Sequence, residues 1–452
     1  MAKYLVLLIP LFLGLLKPHT FFANDQATDL MVAEKILSGD LELKGPPTAR
    51  GSRHVGPTYY YFVSLCRLIG GERIETVFLV ATILKWIGVS FLLIVVNQVW
   101  IKSSVFLIFG ALCFSGADYL SSFKVFWHSN YHLFITSLTL GFGILTLKVG
   151  VRFLPVFLLL VFLYGIGHLS AGPPSLGMLA VIILFHKRLL IIALIGSLIL
   201  FKPAMDFAFA FGASEHGGII SSLGIFSEFF RKKLFSSVSV NELYIGLFFL
   251  VLVSLNIRKE LRLWIFILVP CLFSIIAVAL LKPPLFHHFF YSLLPLPGLI
   301  GAIVLSLSVR RLPSLIFALP IFYFLGLSIL KTYPSKAEFQ TLEHTREVVE
   351  FLKKEPNYKN QAILGSLSSK HSRNAYYYLL KSDSKYMMQY IDRFPNWIKE
   401  DVPKNGVLVI CPSPYSKARE KIFSSVKNDW TIKEEISPFA KNCSAWRLEN
   451  DK

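Results

Sequence analysis

Charge is what this sequence has least of. Of its 452 residues only 16% are charged and 28 are acidic, against 46 Lys and Arg and 54% hydrophobic residues. Soluble globular chains carry about 25% charged and about 45–50% apolar residues. The deficit, with 40 Phe and a mean hydropathy of +0.57, excludes a disordered, fibrous or ordinary cytosolic protein. Cysteine is scarce too. There are five, no CxxC and no HExxH, so neither a dithiol redox centre nor a zincin is encoded. Cys66, Cys113 and Cys271 sit in apolar stretches as small hydrophobes. Cys411 and Cys443 lie in the polar C-terminal part and can pair only if that part is outside the cytoplasm. Internal repeats, low-complexity runs and a Gly-rich phosphate loop are missing as well.

What is present is a series of long apolar runs. The first spans residues 4–16 after Lys3. Cleavage after Ala23 would put Phe21 at the −3 position, where a small residue is needed, so the run reads as an uncleaved first span. Ten more follow at 77–96, 105–120, 132–147, 153–168, 175–185, 189–201, 243–255, 263–281, 289–307 and 312–330. Several are shorter than the roughly 20 residues of an ideal spanning helix. The expectation is a multi-pass α-helical membrane protein of about 11 spans.

Charge orients it. With Met1 inside, the cytoplasmic segments carry Lys3, Lys102, Lys148, Arg152, Lys187, Arg188, Arg258, Lys259, Arg262, Arg310 and Arg311, with Glu260 as their one acid. Alternate short loops are basic, as the positive-inside rule requires. Twelve of the 13 acidic residues before Thr332 then fall outside. The net charge of +18 is in part this orientation signal and gives no argument for nucleic acid. Two domains are expected: residues 1–331 in the membrane, including a first outer loop at 17–76, and residues 332–452 as a small extracytoplasmic α/β domain. In the latter, Phe339, Leu342, Val349 and Leu352 have helical spacing, residues 406–411 (GVLVIC) read as a buried strand, residues 415–426 as a helix, and residues 430–436 and 444–448 as strands.

The first outer loop holds the candidate chemistry. Leu30, Ala33 and Leu37 mark an amphipathic helix suited to a membrane surface, and Gly39 is its natural stop. Asp25 sits where that helix begins. It can cap the helix, and it can take a proton from an acceptor hydroxyl or amine at the membrane boundary; the two roles are compatible. Asp29, a turn later, reads as structural. Beyond it runs Gly45–Pro–Pro–Thr48–Ala–Arg50–Gly–Ser–Arg53–His54–Val–Gly56–Pro57–Thr–Tyr59–Tyr60–Tyr61, where Arg50, Arg53 and His54 offer donors to an anion and the tyrosines suit the interfacial aromatic belt. Further outer cations are Lys202, Lys282 and the Arg231–Lys233 cluster, the last read as an interfacial anchor ahead of a phosphate site. Asp118 reads as a solvated loop aspartate.

Short first span, outer Asp, amphipathic helix ending in Gly-Asp and the GPPT…RHVGPTYYY stretch together resemble the membrane-embedded GT-C glycosyltransferases. The nearest branch is the bacterial dolichyl-phosphate-mannose–protein mannosyltransferase-like group, with its lipid A aminoarabinose transferases. Phe126–Trp–His–Ser–Asn130 resembles that group's Trp-Asn-Pro motif with His128 and Ser129 intervening. Gly165–Ile–Gly–His168 resembles Gln-Leu-His, and His287–His288–Phe–Phe–Tyr291 before Pro295 resembles a His/Tyr-rich outer segment. The resemblance covers residues 1–331. It implies transfer of a sugar from a polyprenyl-phosphate donor to a lipid, glycan or protein acceptor on the extracytoplasmic side of the bacterial inner membrane. It makes Asp25 the general base or the residue that orients the acceptor. Because polar residues at membrane depth are costly and often functional, His168 and His288 join Arg50, Arg53 and His54 as candidates for the donor phosphate or sugar. No cofactor is expected, and no carboxylate–histidine cluster supports a divalent cation. A transporter or flippase of a lipid-linked glycan, and a non-catalytic scaffold presenting the tail, are the competing readings.

Overall fold

The computed structural model describes residues 2–15, 22, 24–42, 44–46, 56–186, 219–235, 261–281, 287–309, 342–354, 362–367, 405–411, 430–440 and 443–450. By their contacts the residues form two compact units, one of Met1–Pro18 with Ile36–Tyr333, the other of His19–Lys35 with Pro334–Lys452.

The first unit is helical because its sequence is made of apolar runs whose backbone polar groups must bond within the segment once water is excluded. Its described helices are α1 (Leu8–Leu15), α3 (Thr58–Gly70), α4 (Ile74–Val96), α5 (Ser104–Phe114), α6 (Ala117–Lys124), α7 (His132–Lys148), α8 (Leu154–Gly167), α9 (Gly172–Phe185), α10 (Ile219–Phe235), α11 (Leu261–Leu281) and α12 (Leu296–Val309). The segments Ile74–Ile101, Leu261–Ala279 and Phe290–Val309 are long and apolar enough to cross a membrane, and α5 with α6 forms a fourth such segment bent by 76°. Shorter apolar helices cover Lys3–Leu15, His132–Lys148, Val151–Gly167 and Gly172–Phe185. Helices thus occupy eight of the expected runs; those at 189–201, 243–255 and 312–330 lie outside the described residues.

Packing follows small residues and self-satisfied hydroxyls. Helix α4 lies along α7, α5 along α12 and α9 along α11. At Gly88 of α4 a Cβ would stand 2.9 Å from the Phe134 Cα, so only glycine admits α7 this closely. Buried hydroxyls bond back one turn, Thr139 to Ile135 O at 2.7 Å and Ser175 to Ala171 O at 2.6 Å, which lets polar residues sit on apolar helices.

The second unit contains a four-stranded sheet of order β1-β2-β4-β3, built from Ala362–Leu367 (β1), Asn405–Cys411 (β2), Trp430–Ala440 (β3) and Cys443–Asn450 (β4). β1 and β2 are parallel, and the other neighbours antiparallel. Carried one step past Ile410↔Ser444, the β2–β4 register sets positions 411 and 443 across from each other. Helix α13 (Leu342–Lys354) buries Leu342, Val348, Val349 and Leu352 and packs on β3. The expected helix at 415–426 lies outside the described residues.

One boundary differs from the sequence reading. Helix α2 (Asn24–Leu37), assigned above to the membrane part with the rest of loop 17–76, groups through residues 19–35 with the tail. Its apolar stripe is buried at Ala27, Leu30 and Ala33, so the stripe is spent on protein packing. Leu37 at the helix end is exposed, and Gly39 stops the helix at φ +100°.

Candidate functional site

In the first unit, the start of α7, the end of α8 and the segment before α12 gather histidines, tyrosines and a tryptophan. The His128 and His168 rings stack with centroids 5.3 Å apart, and His132 meets His168 edge-on at 5.4 Å. Trp127 packs against His128 at 5.0 Å and Tyr291 at 6.3 Å. Tyr59 of α3 contacts both His128 and Tyr131. Trp127, His128, His168 and Tyr291 are part-exposed, whereas His132, Tyr131 and Tyr59 are buried.

Hydroxyls staple the short 3-10 helices Leu169–Ala171 and His287–Leu293 and the turn at Leu294. Thr136 and Tyr164 donate to Ser292 O at 2.9 and 2.8 Å, Tyr119 donates to Leu294 O at 2.9 Å, and Ser292 Oγ donates to Ser170 O at 3.0 Å. These bonds also fix ring protons. Thr136 gives its one proton to Ser292 O, so its contact with His132 Nδ1 at 3.3 Å requires the histidine to donate; His132 Nε2 is then an acceptor. His168 Nδ1 accepts the Ser170 N–H at 3.2 Å, which puts the proton of the neutral ring on Nε2, a donor. Three polar atoms close by, Thr58 Oγ1, Tyr131 OH and His132 Nε2, are buried with no hydrogen-bond partner among the described residues. The Gly56 N–H donates to Ile166 O at 2.8 Å, tying the Gly-Pro-Thr entry of α3 to the end of α8.

A half-buried ion pair flanks this cluster. Lys233 Nζ of α10 lies 2.7 Å from Asp118 Oδ2, donates to Ser122 Oγ at 2.9 Å and faces the Tyr291 ring at 4.8 Å.

Of the residues singled out from sequence, His168 falls inside the cluster. Arg50, Arg53, His54, Lys202 and Lys282 lie outside the described residues, as does the side chain of His288. Asp25 is the second residue of α2, inside its first turn rather than at the capping position, and exposed; a carboxylate there is still favoured by the helix N-terminus. Asp29 is buried, in keeping with a structural role. Three readings are corrected. Asp118 is ion-paired rather than a solvated loop acid, and Lys233, 2% exposed, is no interfacial anchor, because the bend after α5 turns α6 back onto α10. Tyr59 and Tyr60 are buried, not belt residues; Tyr61 is exposed. His128 had been passed over as an interruption of a motif and His132 was not singled out; their spacing of four residues was the available signal. Among the described residues no group of three or more His, Cys, Asp and Glu is placed to hold a metal ion.

The architecture is a membrane fold of apolar helices, and the protein is an integral membrane protein. The fold is similar to that of solved structures, among them two of one protein. ArnT from Cupriavidus metallidurans in the apo state aligns with a TM-score of 0.56 at 9% identity, over 98% of this chain and 97% of its own. The same protein bound to undecaprenyl phosphate aligns with a TM-score of 0.56 at 10% identity over the same shares. No protein-family model and no curated protein matches the sequence.

Proposed function

We propose that the protein is a membrane glycosyltransferase that moves a sugar from a polyprenyl-phosphate donor to a lipid, glycan or protein acceptor on the extracytoplasmic side, where the tail domain also lies. The observation carrying this is the fold likeness, over nearly the whole of both chains, to a transferase solved with undecaprenyl phosphate bound. The histidine–aromatic cluster supports it chemically. The leaving phosphate needs fixed donors, which the Nε2–H of His168, with Arg50, Arg53, His54 and His288, would supply. Arginine would hold the phosphate in a forked geometry. The part-exposed faces of Trp127 and Tyr291 suit the apolar face of a sugar. On the acceptor side Asp25 takes the proton as the acceptor oxygen or nitrogen attacks the anomeric carbon.

The test is mass spectrometry of envelope glycolipids and glycoproteins from cells with the wild-type protein, without it, or with Asp25→Asn or His168→Ala at matched membrane levels. One sugar mass is expected to vanish in the deletion and in Asp25→Asn and to fall in His168→Ala. A deletion that alters the envelope while Asp25→Asn is silent would remove Asp25 from catalysis and put the flippase or scaffold reading ahead.

A further inference from the structure

One side of α4 carries Phe78, Thr82 and Lys85, spaced i, i+4 and i+7, so the three share a stripe along the helix. All three grip the place where α6 ends. Lys85 is 2% exposed, and its Nζ donates to Ser122 O at 3.1 Å and Val125 O at 3.0 Å. The Thr82 hydroxyl lies 2.9 Å from Phe78 O and 3.1 Å from Phe123 O, sharing its proton between them. Phe78 stacks on Phe126 with centroids 4.7 Å apart. A helix end leaves its last carbonyls without intrahelical partners. Here Ser121 O takes the Val125 N–H at 2.9 Å, and α4 supplies the donors for Ser122 and Phe123.

We infer that Lys85 is a positioning residue: it fixes the exit of α6 and so sets His128, three residues beyond Val125, against His168, and Trp127, two residues beyond, against His128 and Tyr291. A lysine in a membrane-spanning helix is costly to insert, so stability of insertion alone would favour an apolar residue at 85. What lysine adds is a donor long enough to reach two carbonyls of the neighbouring turn that ends α6. Ser122 is held from the far side as well, its hydroxyl accepting from Lys233, so α6 is gripped from α4 and from α10.

The link to activity rests on the transferase reading; the structural part does not. Hydrogen–deuterium exchange is measured on the full-length protein in lipid nanodiscs, comparing wild type with Lys85→Met, Lys85→Arg and Thr82→Val. Sugar transfer is then followed by envelope mass spectrometry. Lys85→Met should speed exchange in residues 122–131 at least tenfold and leave α9 and α11 as in wild type. Thr82→Val should give a smaller change in the same peptide, and Lys85→Arg, which keeps donors for both carbonyls, should stay within about threefold of wild type. Transfer should fall at least tenfold in Lys85→Met and recover in Lys85→Arg. Unchanged exchange at 122–131, an equal rise across all helices, or a loosened segment with undiminished transfer would each overturn the inference. If the wild type transfers no sugar, the transferase reading fails while the exchange data still decide whether Lys85 holds the segment.

Discussion

Replacing Gly167 by alanine tests the packing of the cluster most sharply. A Cβ there would overlap the Tyr131 hydroxyl and stand 3.0 Å from Tyr131 Cζ and 3.5 Å from Thr58 Cβ. Tyr131 cannot swing away cheaply, since its ring lies 4.7 Å from His132, 5.6 Å from Tyr59 and 5.9 Å from Phe62. Overpacking of this kind costs about 1–3 kcal/mol. The Tyr131 hydroxyl is itself buried without a partner among the described residues, a state that costs about 1–3 kcal/mol. Tyr131→Phe alone should therefore be neutral or stabilising. In the Gly167→Ala background the same change removes the overlapping atom and leaves a contact tight by a few tenths of an ångström, so it should restore about 1–2 kcal/mol of the loss. Thermal unfolding of the detergent-solubilised proteins should rank Tyr131→Phe at or above wild type, the double variant below it and Gly167→Ala lowest. A Tyr131→Phe protein that loses stability, or a double variant no better than Gly167→Ala, would refute the reasoning.

Other expectations are simpler to check. Asp118→Asn strands the buried Lys233 ammonium; because Asp118 is 24% exposed, the loss should be about 2 kcal/mol, below the roughly 3–5 kcal/mol of a wholly buried pair, and the further change Lys233→Met should recover part of it in the same melts. Burial pushes the Cys66 thiol up to about 12, so maleimide at pH 8 should leave Cys66 unmodified in the native protein and label it after denaturation. If the tail is extracytoplasmic, the β2–β4 register predicts a bridge between Cys411 and Cys443, visible in non-reducing peptide mass spectrometry, with two free thiols the contrary result.

The apolar helices were legible because a long apolar run must bond its backbone polar groups within itself, and the ends of α4, α7 and α11 follow the runs within a few residues. Strand β2 was legible as an uninterrupted apolar segment before Pro412. β1, by contrast, was missed: Gly365 and Ser366 break its apolar run, and it is recognisable only beside β2. Of the histidine cluster, His168 was singled out through one local motif, whereas His128 sits where the chain departs from a different motif and His132 lies just beyond it. The pair Asp118–Lys233 joins residues more than a hundred positions apart, and no periodicity carries such a contact. Lys85 was invisible because a lone lysine in an apolar run gives no clue to the carbonyls it meets; these belong to α6, whose 76° bend from α5 is not written in any local pattern.

The central claim is that this fold serves a polyprenyl-phosphate substrate, and direct binding tests it most plainly. Undecaprenyl phosphate and undecaprenol would each be titrated against the purified full-length protein and followed by native mass spectrometry. The account predicts saturable one-to-one binding of the phosphate, at least tenfold tighter than the neutral alcohol and weakened by His168→Ala. Equal, unsaturable uptake of both lipids would contradict it.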